Sequence, residues 1–256
     1  MLDQSYIDRA APPGSMRYFA LLYTPPEQRE FIAAVLVIDA EIRAATQTPH
    51  EVAHTRVAWW RSEIDRLVNR NAQHPATMTF QRALPNADFS LLHEAMTAAD
   101  MDLAKFSYNK RTELDAYLER AGAVLQFASP VAQAAGRKMG ALIRRVETLR
   151  DLVSEAREGR IYWPLDELDA AQVTVADLQA GKSTPAISEL VAKECALLHA
   201  EFDSVECDAR PLVVLARLHA RLLRRIARAE YNIVVHRHEL GSIEKVWTAW
   251  RAARGS

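Results

Sequence analysis

Gly140-Ala-Leu-Ile-Arg-Arg-Val-Glu-Thr-Leu-Arg-Asp-Leu-Val-Ser-Glu155, followed by Glu158-Gly-Arg-Ile-Tyr-Trp-Pro164, is the stretch on which the architecture turns. Leu142, Val146, Leu149 and Val153 recur at helical spacing, which predicts one long helix over about 131–158. Such a helix sets Asp151 and Glu155 on one face, a turn apart, beside Arg144 and Glu147. Two carboxylates so placed can hold a hard cation such as Mg²⁺ on oxygen ligands while a bound diphosphate completes the shell. An isolated Asp-x-x-x-Glu pair is more often a solvated helix face. Coupling to Gly159-Arg-Ile-Tyr-Trp-Pro164 makes this one more specific.

Working outward, the pattern stays helical. Thr24-Pro25-Pro26-Glu27 reads as a capping-box start with prolines in the first turn, opening a helix from about 27 to 46 that Pro49 ends. A second helix over roughly 50–69 carries Val57, Trp60, Ile64, Leu67 and Val68 on one stripe. The polar stretch 71–88, with Pro75 and Pro85, predicts a short helix between loops. Further helices are expected at about 89–105, 111–129, 184–203 and 210–236, and the tail 239–256, with Trp247 and Trp250, reads as a short docking helix. Alternating strand patterns and 20–50-residue repeats are absent, so the expectation is an all-α bundle in a single domain over 1–256, its core at about 16–237.

Bulk composition narrows the function classes. With 256 residues, 49% hydrophobic and 25% charged, the chain can bury a large core. Eight glycines and a formal charge of −1 argue against disorder and against nucleic acid as a partner. Two cysteines, Cys195 and Cys207, build neither a disulfide framework nor a Cys-based zinc site. The longest apolar run, Phe31–Ile38, is far short of the ~18–20 residues of a spanning helix. A cytoplasmic protein is expected, with membrane-surface association left open.

The motifs together resemble the squalene/phytoene synthase family, over roughly residues 16–235. Asp151 to Pro164 is similar to its second aspartate-rich motif. Arg17-Tyr18-Phe19-Ala20 through Pro25 looks like its opening segment, and Trp59-Trp60-Arg61-Ser62-Glu63 with His74-Pro75 like its Trp-x-x-Glu helix and following His-Pro. Asp102 to Tyr108, Glu113-Leu-Asp-Ala-Tyr117 and Ala121-Gly122 match a further stretch, and Arg210-Pro-Leu-Val-Val-Leu-Ala its final-helix start. The resemblance implies an isoprenoid (terpenoid) synthase fold around a central cavity, in which active members condense two isoprenoid diphosphates head to head. Mg²⁺ held by aspartate motifs on opposing helices neutralises the leaving diphosphate, because so charged a group departs only when cations stabilise it. It further implies metal ligands at Asp151 and Glu155. Diphosphate or prenyl contacts are implied at Arg17, Tyr18, Arg43, Asp102, Tyr108, Arg150, Arg160 and Tyr162.

The departures carry equal weight. In the register of the resemblance, Arg43 and Gln47 occupy the places of the two metal-binding aspartates of the first motif. Asp39 and Glu41 lie nearby but point about 200° apart on a helix and cannot share a metal. In the second motif Arg144 and Glu147 replace the family's Gln and Asn, and Glu155 replaces its closing Asp. Arg43 repels Mg²⁺; it can pair a phosphate directly, or pair with Asp151 or Glu155 and close the cavity. The pattern looks like the divergent branch that includes a mitochondrial complex I assembly factor of this fold, whose Glu is matched by Glu41. The leading expectation is therefore a catalytically impaired member that binds an isoprenoid diphosphate or serves as an assembly factor with a protein partner. The first rival is an active Mg²⁺-dependent prenyltransferase using Asp151, Glu155 and Asp39 or Asp102 on metal, with Arg43 and Arg160 gripping phosphate. The second is a ligand-free helical interaction module.

Other signals resolve to ordinary structure. Gly181-Lys182-Ser183-Thr184 lacks the upstream glycine of a P-loop and reads as a loop and N-cap. His236 and His238 diverge at a helix end. Arg217, Arg221, Arg224, Arg225 and Arg228 form one broad basic face, by default solvated or ion-paired, otherwise open to anionic lipid or a partner.

Overall fold

In the computed structural model, which describes residues 2–129, 133–235 and 237–255, helices account for all regular structure among the described residues. In chain order they are α1 (Gln4–Ala10), α2 (Met16–Leu22), α3 (Pro26–Thr46), α4 (His50–Val68), α5 (Pro75–Ala83), α6 (His93–Leu103) and α7 (Arg111–Ala121), then α8 (Gln133–Arg150), α9 (Leu152–Arg157), α10 (Leu165–Ala170), α11 (Val175–Ala180), α12 (Pro185–Ser204), α13 (Arg210–Arg228) and α14 (Ser242–Arg254). Short 3₁₀ turns at Phe89–Leu92 and Ala123–Ala128 join them.

The expected all-α bundle is what forms, with local corrections. Pro25, not Thr24, is the N-cap residue of α3; the Thr24 hydroxyl instead donates to the Ala20 carbonyl at 2.8 Å and closes α2. The helix expected over 111–129 stops at Ala121 and continues as the 3₁₀ turn. The one expected over 131–158 is broken at Asp151 (φ −98°, ψ 9°), and its first two residues lie outside the described set. Hydrogen bonds nevertheless run across the break, from the Asp151 amide to Glu147 (3.0 Å) and from the Glu155 amide to Asp151 (2.9 Å), so the two carboxylates stay a turn apart. The helix beginning at Arg210 ends at Arg228 rather than near His236, a residue outside the described set. Glu230 and Tyr231 there take positive φ, and the Tyr231 amide returns to the Ile226 carbonyl. Helices α1, α2, α10 and α11, of six or seven residues each, have too few residues for a periodic signal to emerge.

The main core joins the buried run Ile32–Ile38 of α3 to Leu142, Ile143 and Val146 of α8 and to Leu215, Leu218 and Leu222 of α13. An aromatic cluster, Phe80, Phe89 and Phe127, fills the end beside α5. The 3₁₀ turn and α8 meet with almost no space between their backbones. A Cβ on Gly122 would lie 2.4 Å from the Gly140 carbonyl carbon, and one on Gly140 would lie 2.4 Å from the Gly122 oxygen. That crossing sets the height at which α8 presents its polar face to α3.

Candidate functional site

The cavity forms where α3, α6, α7 and α8 turn their polar stripes inward. Spacing of three and four residues places Asp39, Arg43 and Thr46 on one face of α3, with Gln47 just past its end, and Arg144 and Glu147 on the facing side of α8, with Asp151 just past its end. Asp102 from α6, Tyr117 from α7, and Glu155, Arg160 and Tyr162 beyond α8 complete the wall. The space enclosed is about 50 Å³, room for a few water molecules and far less than a prenyl chain occupies.

Charge is dense here, and nearly all of it is paired. Arg43 donates to Glu147 at 2.9 Å. Arg144 reaches Glu147 at 3.1 Å, Asp39 at 3.4 Å and the Ala121 carbonyl at 3.2 Å. Arg17 closes on Asp39 from the opposite side. Asp151 is held by Arg150 (2.9 Å) and Arg237 (2.7 Å), and Glu155 by Arg160 (2.5 Å). Burial opposes ionisation of Glu147, but Arg43, a hydrogen bond with His219 and Arg144 hold its carboxyl well below the usual range. Asp39 and Asp151 are likewise held down against burial by their arginines. Arg43 is the mirror case: burial would weaken its charge, and Glu147 and Asp39 raise it above its ordinary value.

Asp102 behaves differently. It accepts the hydroxyls of both Tyr117 and Tyr162 on one oxygen, each at 2.7 Å. Burial pushes its carboxyl up despite these two bonds, and burial together with Asp102 drives both phenols well above their usual range. An amide oxygen accepts the same two bonds, so Asp102→Asn is expected to change unfolding free energy by less than about 1 kcal/mol in denaturant titration. A larger loss would mean that the charge itself is required.

Of the positions expected from sequence, Arg43, Asp102, Asp151, Glu155, Arg160 and Tyr162 meet in the cavity wall. Arg17 and Arg150 stand behind it, each bound to an acid of the wall. Tyr18 packs edge-on to Phe19, and Tyr108 is buried in a satellite cluster against Tyr117. Neither lines the cavity. Arg43 meets Glu147, not Asp151 or Glu155, because those two are taken by Arg150, Arg237 and Arg160. Glu41 turns away from the cavity to Arg9 and Arg56. Sequence reasoning missed Arg237, which no motif marks, and the joint roles of Tyr117 and Asp102.

Among the described residues no three carboxylate, histidine or cysteine side chains gather as a metal site; Asp39, Glu147, Asp151 and Glu155 are each bonded to a guanidinium, and Asp102 to two tyrosine hydroxyls. The buried polar atom left over in the cavity wall is Arg144 Nε, which has no hydrogen-bond partner. That atom is a donor and calls for an acceptor, which a cation is not.

A helical bundle closed around a charged cavity of this kind is the isoprenoid-synthase fold. The chain belongs to the squalene/phytoene synthase family, whose model matches residues 11–251. It is 26% identical over 238 residues to the presqualene diphosphate synthase of Sinorhizobium fredii, covering 85% of this chain and 84% of that one. It is 24% identical over 255 residues to the chloroplastic phytoene synthase 1 of Arabidopsis thaliana, covering 90% of this chain and 60% of the plant protein. Among solved structures, a dehydrosqualene synthase in complex with ligand superposes with a TM-score of 0.80 at 14% identity, covering 98% of each chain. The squalene synthase HpnC of Alicyclobacillus acidocaldarius gives 0.72 at 18% identity, covering 89% of this chain and 94% of that one.

Proposed function

We propose that this chain is a catalytically impaired member of the family, one that binds an isoprenoid diphosphate without condensing it. The observation that carries this reading is the Arg43–Glu147 bond. Two departures from the family pattern, 104 residues apart, meet at 2.9 Å and neutralise each other. Where the resemblance puts metal-binding acids on α3, the chain has a cation and an amide, and Asp39, the acid of α3 in the wall, is already held by Arg17 and Arg144. A diphosphate is instead met by guanidinium groups, with Arg43, Arg144 and Arg160 supplying N–H donors and Arg144 Nε already lacking an acceptor. Without a divalent charge on the leaving oxygen, ionisation to a carbocation loses the stabilisation that Mg²⁺ supplies in the family's active members.

Incubation of the purified protein with farnesyl or geranylgeranyl diphosphate and Mg²⁺ is expected to return the substrate intact, read by mass spectrometry. A head-to-head condensation product would overturn the proposal. Calorimetric titration with a non-hydrolysable farnesyl diphosphate analogue is expected to give the same affinity in Mg²⁺ and in chelator. Binding that strengthens sharply with Mg²⁺ would restore the enzyme reading.

The small cavity favours one second reading. At about 50 Å³ it admits a prenyl chain only if helices separate, and a family member that keeps them closed serves as an assembly or interaction factor for a protein partner. No heat from the analogue under either condition would select that reading.

A further inference from the structure

We infer that the face built by α13 and α14 docks on a membrane surface bearing anionic phospholipids, its arginines taking lipid phosphates while Ile243 and Trp247 enter the headgroup boundary. None of the residues of this face lines the cavity, so the inference stands apart from the proposed ligand. The face begins with α13, which is sharply two-sided. Leu215, Leu218, Leu222 and Ile226 are buried on one side. Arg217, Arg221, Arg224, Arg225 and Arg228 project from the other into a groove of about 1120 Å³ shared with α14.

α14 is two-sided as well. Ala249 is buried on the side that packs over α13 and α2. Ile243, Val246, Trp247 and Trp250, at spacings of three and four, form an apolar row on another side. Ile243 is 87% exposed, Trp247 58% and Val246 46%. Trp247 stacks on Trp250 at 5.0 Å, and the Arg254 guanidinium lies 4.3 Å over the Trp250 ring, which stiffens the row and keeps a cation at its edge.

The charge balance indicates the occupant. Glu244 is shared by Arg221 and Arg225, and Arg217 reaches Asp203 only at 3.9 Å. Arg224, Arg228 and Arg251 are exposed and have no carboxylate within ion-pair distance among the described residues. An acidic peptide would satisfy the arginines but leave the row from Ile243 to Trp250 facing water. A lipid interface satisfies both, since arginine stems lie along apolar surface with their heads at phosphate level, and tryptophan rings favour that same depth. Attachment is peripheral in this arrangement, for no helix among the described residues is long and apolar enough to cross a membrane.

Co-sedimentation with vesicles tests the inference. The full chain is expected to bind phosphatidylcholine vesicles that contain phosphatidylglycerol, to bind pure phosphatidylcholine far less, and to be released by high salt. Arg224→Gln with Arg228→Gln is expected to weaken binding about 25-fold, roughly fivefold for each charge. Ile243→Ser with Trp247→Ser is expected to abolish stable attachment at any salt. Circular dichroism checks that these exposed substitutions leave the fold intact. Brominated lipid should quench tryptophan fluorescence of the unmodified protein, a readout independent of any variant. Absence of quenching, equal binding to neutral vesicles, or unchanged binding by either double variant would overturn the inference. Binding to polyglutamate without binding to vesicles would overturn it too, and would assign the face to an acidic protein.

Discussion

Glu63→Ala is expected to lower the unfolding free energy by roughly 3–5 kcal/mol, although Glu63 lies outside the cavity. Its side chain is fully buried on α4 and accepts from four sources. The backbone amides of Gln73 and His74 each donate to Oε1 at 2.8 Å, the Thr77 hydroxyl donates to the same oxygen, and Arg66 closes on Oε2 at 2.7 Å. These amides enter α5, whose N-cap is His74 and whose first residue is Pro75. The carboxylate therefore fastens the start of one helix to the flank of another. Alanine leaves the buried His74 amide and Thr77 hydroxyl without this acceptor, and the part-buried Gln73 amide with them, whereas glutamine keeps an oxygen in place. Glu63→Gln should thus cost clearly less than Glu63→Ala in urea titration, and equal losses would refute the bonding account.

The pH dependence has a definite sign. Burial raises the Glu63 carboxyl, but the Thr77 hydroxyl, the two amides and Arg66 outweigh it and hold it below its ordinary value of 4.5. A carboxylate lowered on folding contributes stability that is present above its unfolded value and lost as pH falls through the folded one. The difference between the unmodified protein and Glu63→Gln should accordingly be constant above about pH 5 and shrink in acid. A difference that grows in acid would contradict it.

Gly122→Ala and Gly140→Ala are the second pair of changes with large expected effect, each costing roughly 3 kcal/mol or more. The new Cβ at either site meets backbone at 2.4 Å, not the movable end of a side chain. No rotamer relieves the contact, so the 3₁₀ turn and α8 must part. Parting them moves Arg144 away from the Ala121 carbonyl and Asp39. Both thermal stability and analogue binding should fall together. A stable Gly122→Ala variant with unchanged binding would show that the crossing tolerates more space than its geometry implies.

Much of the fold is legible in the chain because it rests on local signals. The runs after Pro25, Pro49, Pro75 and Pro185 start helices where prolines and periodic apolar residues place them. Asp151 and Glu155 stay neighbours because only four residues separate them. The Trp-x-x-Glu and His-Pro motifs were visible, but that Glu63 receives the His74 amide is a fact of tertiary packing. The same holds for the cavity. The resemblance singles out Arg43, yet which acid it meets depends on the height at which Gly122 and Gly140 let α8 sit. Arg237 lies beyond the end of α13, where the chain turns back through left-handed residues, and no periodicity foretells its contact with Asp151.

The Arg43–Glu147 bond has a consequence for the paths by which this sequence can change. Changing Arg43 alone to aspartate would set a third carboxylate beside Asp39 and Glu147, with Arg144 and Arg17 to offset them. Changing Glu147 alone to asparagine would strip Arg43 of its bonded acid. Each single step passes through an uncompensated charge, and only the two together restore balance. The pair is therefore balanced as a unit: on charge alone, either residue is costlier to replace by itself than both are together.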